Sequence, residues 1–314
     1  MSAMRIIDEI HSNGGEVTSF SSVSGGLPAP EYANNPLLYK FSWSPMGVLK
    51  ASGNDAIYRK DSTTVHVPGG KLLLEATPFL GVWSSLNLEC LPNRNALAYE
   101  DLYGLSYPDT LFRGTLRYRG FSNVMYSLKQ LGLLEDAKAT QSNWTAVIRN
   151  LLDERGFTSL QNFISSYSAG DVANAERQSL LFHELGLSDH SLLSHPESIV
   201  ESLCDVLVDK YSLGSDESDM VLMHTNIVGK YDNELVETYN SSLQLCGDKR
   251  MTAMCKTVGY TAAIATELLL DRRVERTGVI IPTTGDIYIP TLEALEEEGI
   301  KFVETKTRAN QYTA

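Results

Sequence analysis

From Phe121 to Asp216 the apolar residues recur only at helical spacing, while the segments on either side alternate with the two-residue period of strands. The spacing predicts amphipathic helices over Ser122–Leu131, Asn143–Arg155, Val172–Leu185 and Pro196–Tyr211, the first three stopped by Gly132, Gly156 and Gly186. Strand signals return at Met220–Val228 and Glu234–Leu245, joined by the polar turn Lys230-Tyr231-Asp232-Asn233. The expected architecture is therefore α/β: a mixed α+β sheet domain in two parts, 1–120 and 219–314, interrupted by an all-helical insert over 121–218.

The flanking segments add detail. The first ten residues read as an amphipathic helix closing at Gly14-Gly15. Glu16–Val23 alternates as a strand and is expected to end at the loop Gly25-Gly26-Leu27-Pro28-Ala29-Pro30. Thr63–Leu74 suggests a hairpin around Pro68-Gly69-Gly70, and residues 80–121 hold further short strands. Met251–Leu270 is a small-residue, apolar helix suited to burial against a sheet, and Val279-Ile280-Ile281-Pro282 reads as a buried strand. Ile287–Glu298 predicts a helix closing at Gly299, with a last strand over Ile300–Glu304. The strand and glycine turn near residue 25 superficially resemble a phosphate loop, yet the sequence contains neither GxGxxG nor GxxxxGK[ST].

Charge excludes several partners. With 39 acidic against 26 basic residues, a net charge of -13 and a pI near 4.9, the chain has no basic surface to neutralise nucleic-acid phosphates or to hold an anionic membrane. No apolar run reaches the roughly 18 residues of a membrane span. Cys90, Cys204, Cys246 and Cys255 are scattered without a CxxC pair, which points to reduced thiols in an intracellular compartment. The sequons at Asn143 and Asn240 are then chance matches. His183, His190 and His195 lack metal-site spacing and read as surface or interface residues, so no metal is expected.

Against that acidic background, Phe112-Arg113-Gly114-Thr115-Leu116-Arg117-Tyr118-Arg119-Gly120 places three arginines at alternate positions. On a strand, Arg113, Thr115, Arg117 and Arg119 share one face, and Leu116 and Tyr118 the other. A row of guanidinium groups suits a ligand with several carboxylates, since each gripped carboxylate takes two parallel hydrogen bonds. An exposed edge strand whose charges discourage aggregation is the other reading.

Several segments, in order along nearly the whole chain, resemble the glutamate-forming saccharopine dehydrogenases. They are Ser24-Gly25-Gly26-Leu27-Pro28-Ala29-Pro30-Glu31 with Asn35-Pro36-Leu37-Leu38-Tyr39-Lys40-Phe41-Ser42-Trp43-Ser44, then Pro92-Asn93-Arg94, Arg113-Gly114-Thr115-Leu116-Arg117-Tyr118, Met251-Thr252-Ala253-Met254-Cys255-Lys256-Thr257-Val258-Gly259 and Leu270-Asp271. Ser44-Pro45 and Gly247-Asp248 lean towards the dehydrogenase half of the bifunctional α-aminoadipic semialdehyde synthases, with the fungal lysine-biosynthesis enzymes a close second. The resemblance implies the substrate and dimerisation portion of such an enzyme. It also implies that the family's N-terminal Rossmann dinucleotide domain lies outside this chain, Met1 being an internal residue of a longer polypeptide, and that 219–314 ends by packing on that domain.

The implied reaction oxidises saccharopine with NAD or NADP, releasing glutamate and α-aminoadipic semialdehyde, in a homodimer of the cytoplasm or mitochondrial matrix. By motif match, Arg94, Thr115, Leu116 and Arg117 are the expected substrate contacts. Trp43, beside Phe41, either walls the pocket or packs in the core, and Ser44 is the expected cofactor contact. Lys40 and Tyr39 are local candidates for proton transfer, with packing residues as the alternative, and the catalytic group stays unassigned. Arg113 is expected to be structural and Arg119 a surface residue, while Ser24 stands where the family has Cys. Two other readings stay open: a non-catalytic dimerisation or regulatory module, and a dehydrogenase of another tricarboxylic imino acid.

Overall fold

The computed structural model describes residues 1–310 apart from 169, 188 and 233. Asn233 of the expected turn lies outside the described residues. Among the described residues nine strands form one mixed sheet: β1 (Gly15–Pro28), β2 (Ala56–Lys60), β3 (Thr63–Val67), β4 (Thr77–Phe79), β5 (Leu88–Pro92), β6 (Thr110–Tyr118), β7 (Asp219–Tyr231), β8 (Leu235–Cys246) and β9 (Val303–Asn310). Their order is β3-β2-β6-β1-β7-β8-β9, with β5 on β6 and β4 on β5. Only β1 and β6 run parallel among the main pairs, with Ser24 beside Thr115.

Helices α1 (Ser2–Ser12), α2 (Pro45–Ala51) and α3 (Tyr99–Leu102) belong to the first sheet part. The insert holds α4 (Phe121–Gln130), α5 (Trp144–Glu154), α6 (Leu160–Tyr167), α7 (Val172–Glu184) and α8 (Ile199–Tyr211). Then follow α9 (Thr261–Leu270), preceded by a π-helical turn over Cys255–Tyr260, and α10 (Gly285–Glu297). Asn143, Ser159, Asp171 and Ser198 each accept a backbone N–H from the first turn of the helix they precede, which sets four starts in the insert. The insert shares one apolar core with the sheet: Val23, Leu116, Tyr118 and Leu222 pack in the same cluster as Val124, Trp144, Phe163 and Leu203. A second core lies between α1, α10 and the other sheet face, around Phe20, Leu111, Ile227 and Tyr239.

Four expectations are corrected. β1 continues through Gly25-Gly26 to Pro28, because β7 pairs with it along the whole length. The hairpin joins β2 to β3 through Asp61 and Ser62, both at positive φ (49° and 61°), which matches the twist of a two-residue hairpin; Leu72–Glu75 is a 3-10 turn instead. Met251–Leu270 does become helical, but only Ala253 and Leu268 are buried, since α1 and α10 already occupy the sheet face it would need. Val279–Pro282 forms no strand and Val279 is fully exposed. The edge position there belongs to β9, which starts three residues later than expected and pairs with β8. Elements absent from the sequence reading are α2, α3, α6, β2 and β4.

One polar cluster ties the sheet together. The buried Glu237 carboxylate accepts from Tyr231, Tyr239, Lys306 and Arg308 at 2.7–2.8 Å. Burial pushes this carboxyl up, but hydrogen bonds from Lys306, Tyr239, Tyr231 and Arg308 outweigh it and hold the group at about 2, against 4.5 when free. A carboxyl depressed in the fold adds stability above its unfolded pKa and loses it as pH falls. Stability should therefore fall between about pH 4.5 and 2 more steeply in the native chain than in Glu237→Gln. Parallel urea curves for the two proteins across that window would count against this assignment.

Candidate functional site

A cleft of about 380 Å³ opens on the α1 side of the sheet, between β1, β6, α2 and the loop after β5. Its floor is Ser24 and Gly26 with Thr115 and Arg117, its far rim Asn93 and Arg94, and its walls Trp43, Asn54 and Met254. Among the described residues two arginines line it and no acidic residue does, in a chain where acids outnumber bases. Gly25 permits the floor to close: a Cβ there would lie 2.9 Å from the Leu116 carbonyl oxygen, too near for any other residue without moving the main chain.

Arg117 is the centre of the cleft. Its residue is 5% exposed, and its guanidinium lies beside the mutually packed rings of Tyr39 and Phe121, at 5.2 and 5.3 Å from their centres. Glu89 is its cross-strand neighbour but turns away, its carboxylate accepting the N–H groups of Gly120 (2.9 Å) and Ser122 (2.8 Å) at the start of α4. Among the described residues no carboxylate comes within 4.0 Å of Arg117; it donates only to its neighbour's carbonyl, Leu116 O, at 2.9 Å. A buried cation is normally paired, so this one is poised for an anion that enters from solvent.

Arg94 stands opposite, exposed and likewise without an ion pair among the described residues. Its φ of 53° is left-handed, a conformation costing about 1–3 kcal/mol in a residue of this kind. Ile57 N donating to Arg94 O (2.9 Å) and Asn93 N donating to Arg113 O (2.9 Å) hold it there. Thr115 points into the same cleft, as the two-residue period required. Leu116 faces the other way, fully buried in the shared core, so its main chain rather than its side chain borders the cleft.

The remaining sequence candidates fall into two groups. Trp43 walls the cleft, half in solvent, and its Nε1 donates to Tyr39 Oη at 2.9 Å. Tyr39 is completely buried and donates in turn to Gly26 O at 3.0 Å, so one phenol anchors Trp43, braces β1 and stacks beside Arg117. Burial raises its pKa, opposed by the Arg117 charge, which suits a fixed hydroxyl and not a base. Lys40 does not line the cleft; its ammonium is held by both oxygens of Glu217. Burial works against ionisation of Glu217, yet the hydrogen bonds from Lys40 and Gly214 N and the Lys40 charge hold its carboxyl below the usual range. Ser44 caps α2, accepting Gly47 N at 3.3 Å, on the outer side of Trp43. Arg113 stacks on Tyr99 at 4.1 Å, and Arg119 is exposed.

Sequence reasoning missed Asn54, Ser52 and Met254 in the cleft wall. Ser44-Pro45, a capping residue followed by proline at the first helical position, was a usable signal for α2. Gly25-Gly26 lies inside β1 and not at a strand-to-helix junction, so this segment forms no dinucleotide phosphate loop. The metal-type group His195, Glu197 and Glu201 is on the helical insert and does not line the cleft.

Fold and cleft together define a mixed-sheet α/β domain whose cleft is lined by two arginines and, among the described residues, by no carboxylate. The chain belongs to the saccharopine dehydrogenase C-terminal domain family, whose profile matches residues 1–300. It is 36% identical to the mouse (Mus musculus) mitochondrial alpha-aminoadipic semialdehyde synthase, over 96% of this chain and 33% of that protein. To the Arabidopsis thaliana synthase it is 34% identical, over 97% of this chain and 31% of that one. The solved apo structure of saccharopine dehydrogenase (L-Glu forming) from Saccharomyces cerevisiae superposes with a TM-score of 0.87 at 32% identity, covering 98% of this chain and 71% of that chain. The chain thus spans about a third of the length of the plant and mouse synthases.

Proposed function

We propose that this chain is the substrate-holding part of a glutamate-forming saccharopine dehydrogenase of lysine metabolism. The observation that carries the reading is Arg117: a buried guanidinium, free of any carboxylate among the described residues, in an acid-free cleft of a protein with charge -13. Saccharopine offers three carboxylates. Arg117 takes one in the floor by a charge-assisted fork, and Arg94 takes a second at the rim. Thr115 supplies a hydroxyl between them, the Leu116 main chain borders the site, and Trp43 limits access of water along one wall.

NAD or NADP would supply hydride acceptance when bound. The chain's own contribution to that group is the rim around Ser44 and Trp43, and most of the binding is provided by a dinucleotide domain outside the residues described. The exposed apolar side chains of Val258, Leu269 and Leu270 suit packing against such a domain. The partner of the chain is a second copy, and its compartment the cytoplasm or mitochondrial matrix. Calorimetry with saccharopine should give measurable heat, while a spectrophotometric assay of the isolated chain with NAD or NADP should show no reduced nucleotide. Absence of saccharopine heat at millimolar ligand would favour the non-catalytic module; turnover would overturn the division of labour.

A further inference from the structure

Between α7 and α8 the chain returns along the segment that leads into α5, and the two are laced together. Leu193 N donates to Ser142 O (3.0 Å), Ala139 N to Pro196 O (2.9 Å) and Ile199 N to Ala137 O (2.9 Å). At this crossing His195 is held by its main chain. Its N–H donates to Ser202 Oγ at 2.8 Å, and its carbonyl accepts from the same hydroxyl at 2.9 Å. Ser202 is completely buried on α8, so the imidazole is presented from an anchored backbone.

Both ring nitrogens of His195 meet carboxylates. Nε2 lies 3.1 Å from Asp205 Oδ2, while Nδ1 lies 3.4 Å from Glu197 Oε1 and 4.0 Å from Glu201 Oε2. Glu201 and Asp205 stand one turn apart on α8, and Glu197 directly precedes its cap, Ser198. Among the described residues no lysine or arginine comes within 4.0 Å of these three carboxylates. A neutral imidazole has a single N–H. Donated to Asp205, it leaves the Nδ1 lone pair facing two anionic oxygens, an arrangement that a cation placed among the three atoms resolves. Ligands about 2.0–2.1 Å from a tetrahedral zinc ion are roughly 3.4 Å apart, which is the Nδ1 to Glu197 separation. The exposed Glu201 carboxylate needs only a small swing to complete the set.

We propose that His195, Glu197 and Glu201 form a site for a first-row divalent cation of the zinc class, which clasps the insert where these segments cross. An imidazole with two carboxylates is a donor set such ions take, whereas magnesium and calcium take oxygen ligands. Asp205 does not touch the ion. By accepting the far N–H it sets the tautomer and aims the ring, as carboxylates behind ligating histidines do. Water takes the fourth position. The cluster does not line the cleft, so the ion acts on the fold of the insert and not on the substrate. Histidine spacing could not reveal the site, because one histidine takes part and glutamates supply the rest.

Calorimetry of the untagged, metal-stripped 314-residue chain with zinc chloride tests this, and one ion per chain is expected. His195→Ala removes a ligand and should weaken binding at least about 100-fold; Asp205→Asn removes only the orienting charge and should weaken it about 10-fold. An ion bound to the folded chain raises its stability, so saturating zinc should raise the melting temperature of the native chain and not that of His195→Ala. That difference is readable even if the variant melts earlier without metal. Cys246 and Cys255 are exposed thiols that also take zinc, so Cys246→Ser/Cys255→Ser should bind as the native chain does. Absence of zinc heat at about 1 mM, the result for a protonated ring bridging the carboxylates, overturns the proposal. Binding that survives His195→Ala, or that disappears with the two thiols, overturns it as well. Saccharopine heat should be equal in His195→Ala and the native chain, so the clasp and the cleft stand or fall separately.

Discussion

Saccharopine binding is expected to fall at least about 100-fold when Arg117 is replaced by alanine, since two charge-assisted hydrogen bonds of about 1.5–3 kcal/mol each are lost and each 1.4 kcal/mol is a factor of ten. Lysine at this position keeps the charge but not the planar fork, and should recover only part of the affinity. The same residue makes an opposite prediction for stability. Arg117 is a buried cation with no carboxylate among the described residues to offset its desolvation. Arg117→Met keeps most of the volume packed against Tyr39 and Phe121 while removing that charge, so it should abolish binding with a melting temperature equal to or above the native value. Calorimetry and thermal unfolding of the two variants check both halves. Affinity within about twofold of native in either variant would remove Arg117 from the site.

Asp219→Ala should destabilise the chain by about 3 kcal/mol, because two enclosed N–H groups lose a charged acceptor together. Asp219 is completely buried at the start of β7, and its carboxylate accepts Ala253 N at 2.5 Å and Met254 N at 3.0 Å, the opening of the helical segment that runs into α9. Thr252 takes the next N–H, from Cys255, at 3.0 Å. Only glycine fits at 247, where a Cβ would stand 2.5 Å from Asp219 Oδ1. The loss should also loosen Met254 from the cleft wall, so saccharopine affinity drops even in molecules that remain folded. Asn at 219 keeps one acceptor and should recover about half of the stability. Urea unfolding midpoints measure the effect, and a loss under about 1 kcal/mol would show that the cap is dispensable.

The parts of the fold that were legible are those set by local rules. α4, α5 and α7 end next to glycines, and α5 and α7 also begin at side-chain caps, so these three fall within one residue of their expected limits. Thr115 and Arg117 share the cleft face because strand periodicity is a property of the backbone alone. Helix α8 starts later than expected because Ser198, not the residue before Pro196, supplies the cap. The expectations that failed depended on neighbours far along the chain. The apolar run to Leu270 looked like core, but whether an apolar helix is covered depends on which elements already fill the sheet face. Lys40, a proton-transfer candidate or a packing residue by sequence, is met by Glu217 from 177 residues away. Tyr39, with the same two readings, makes two hydrogen bonds that anchor it.

The sequence by itself determined the alternation of sheet and helix, the family, and the side of β6 on which Arg117 stands, because periodicity, capping and motif order are local or linear properties. Only the tertiary structure decided that Arg117 goes unpaired while Arg113 stacks on Tyr99, and that Glu89 is spent on the start of α4. A charge pair exists only where the fold brings two groups within about 4 Å, and a face is buried only if another element reaches it. Both conditions join residues whose separation along the chain carries no record of the contact.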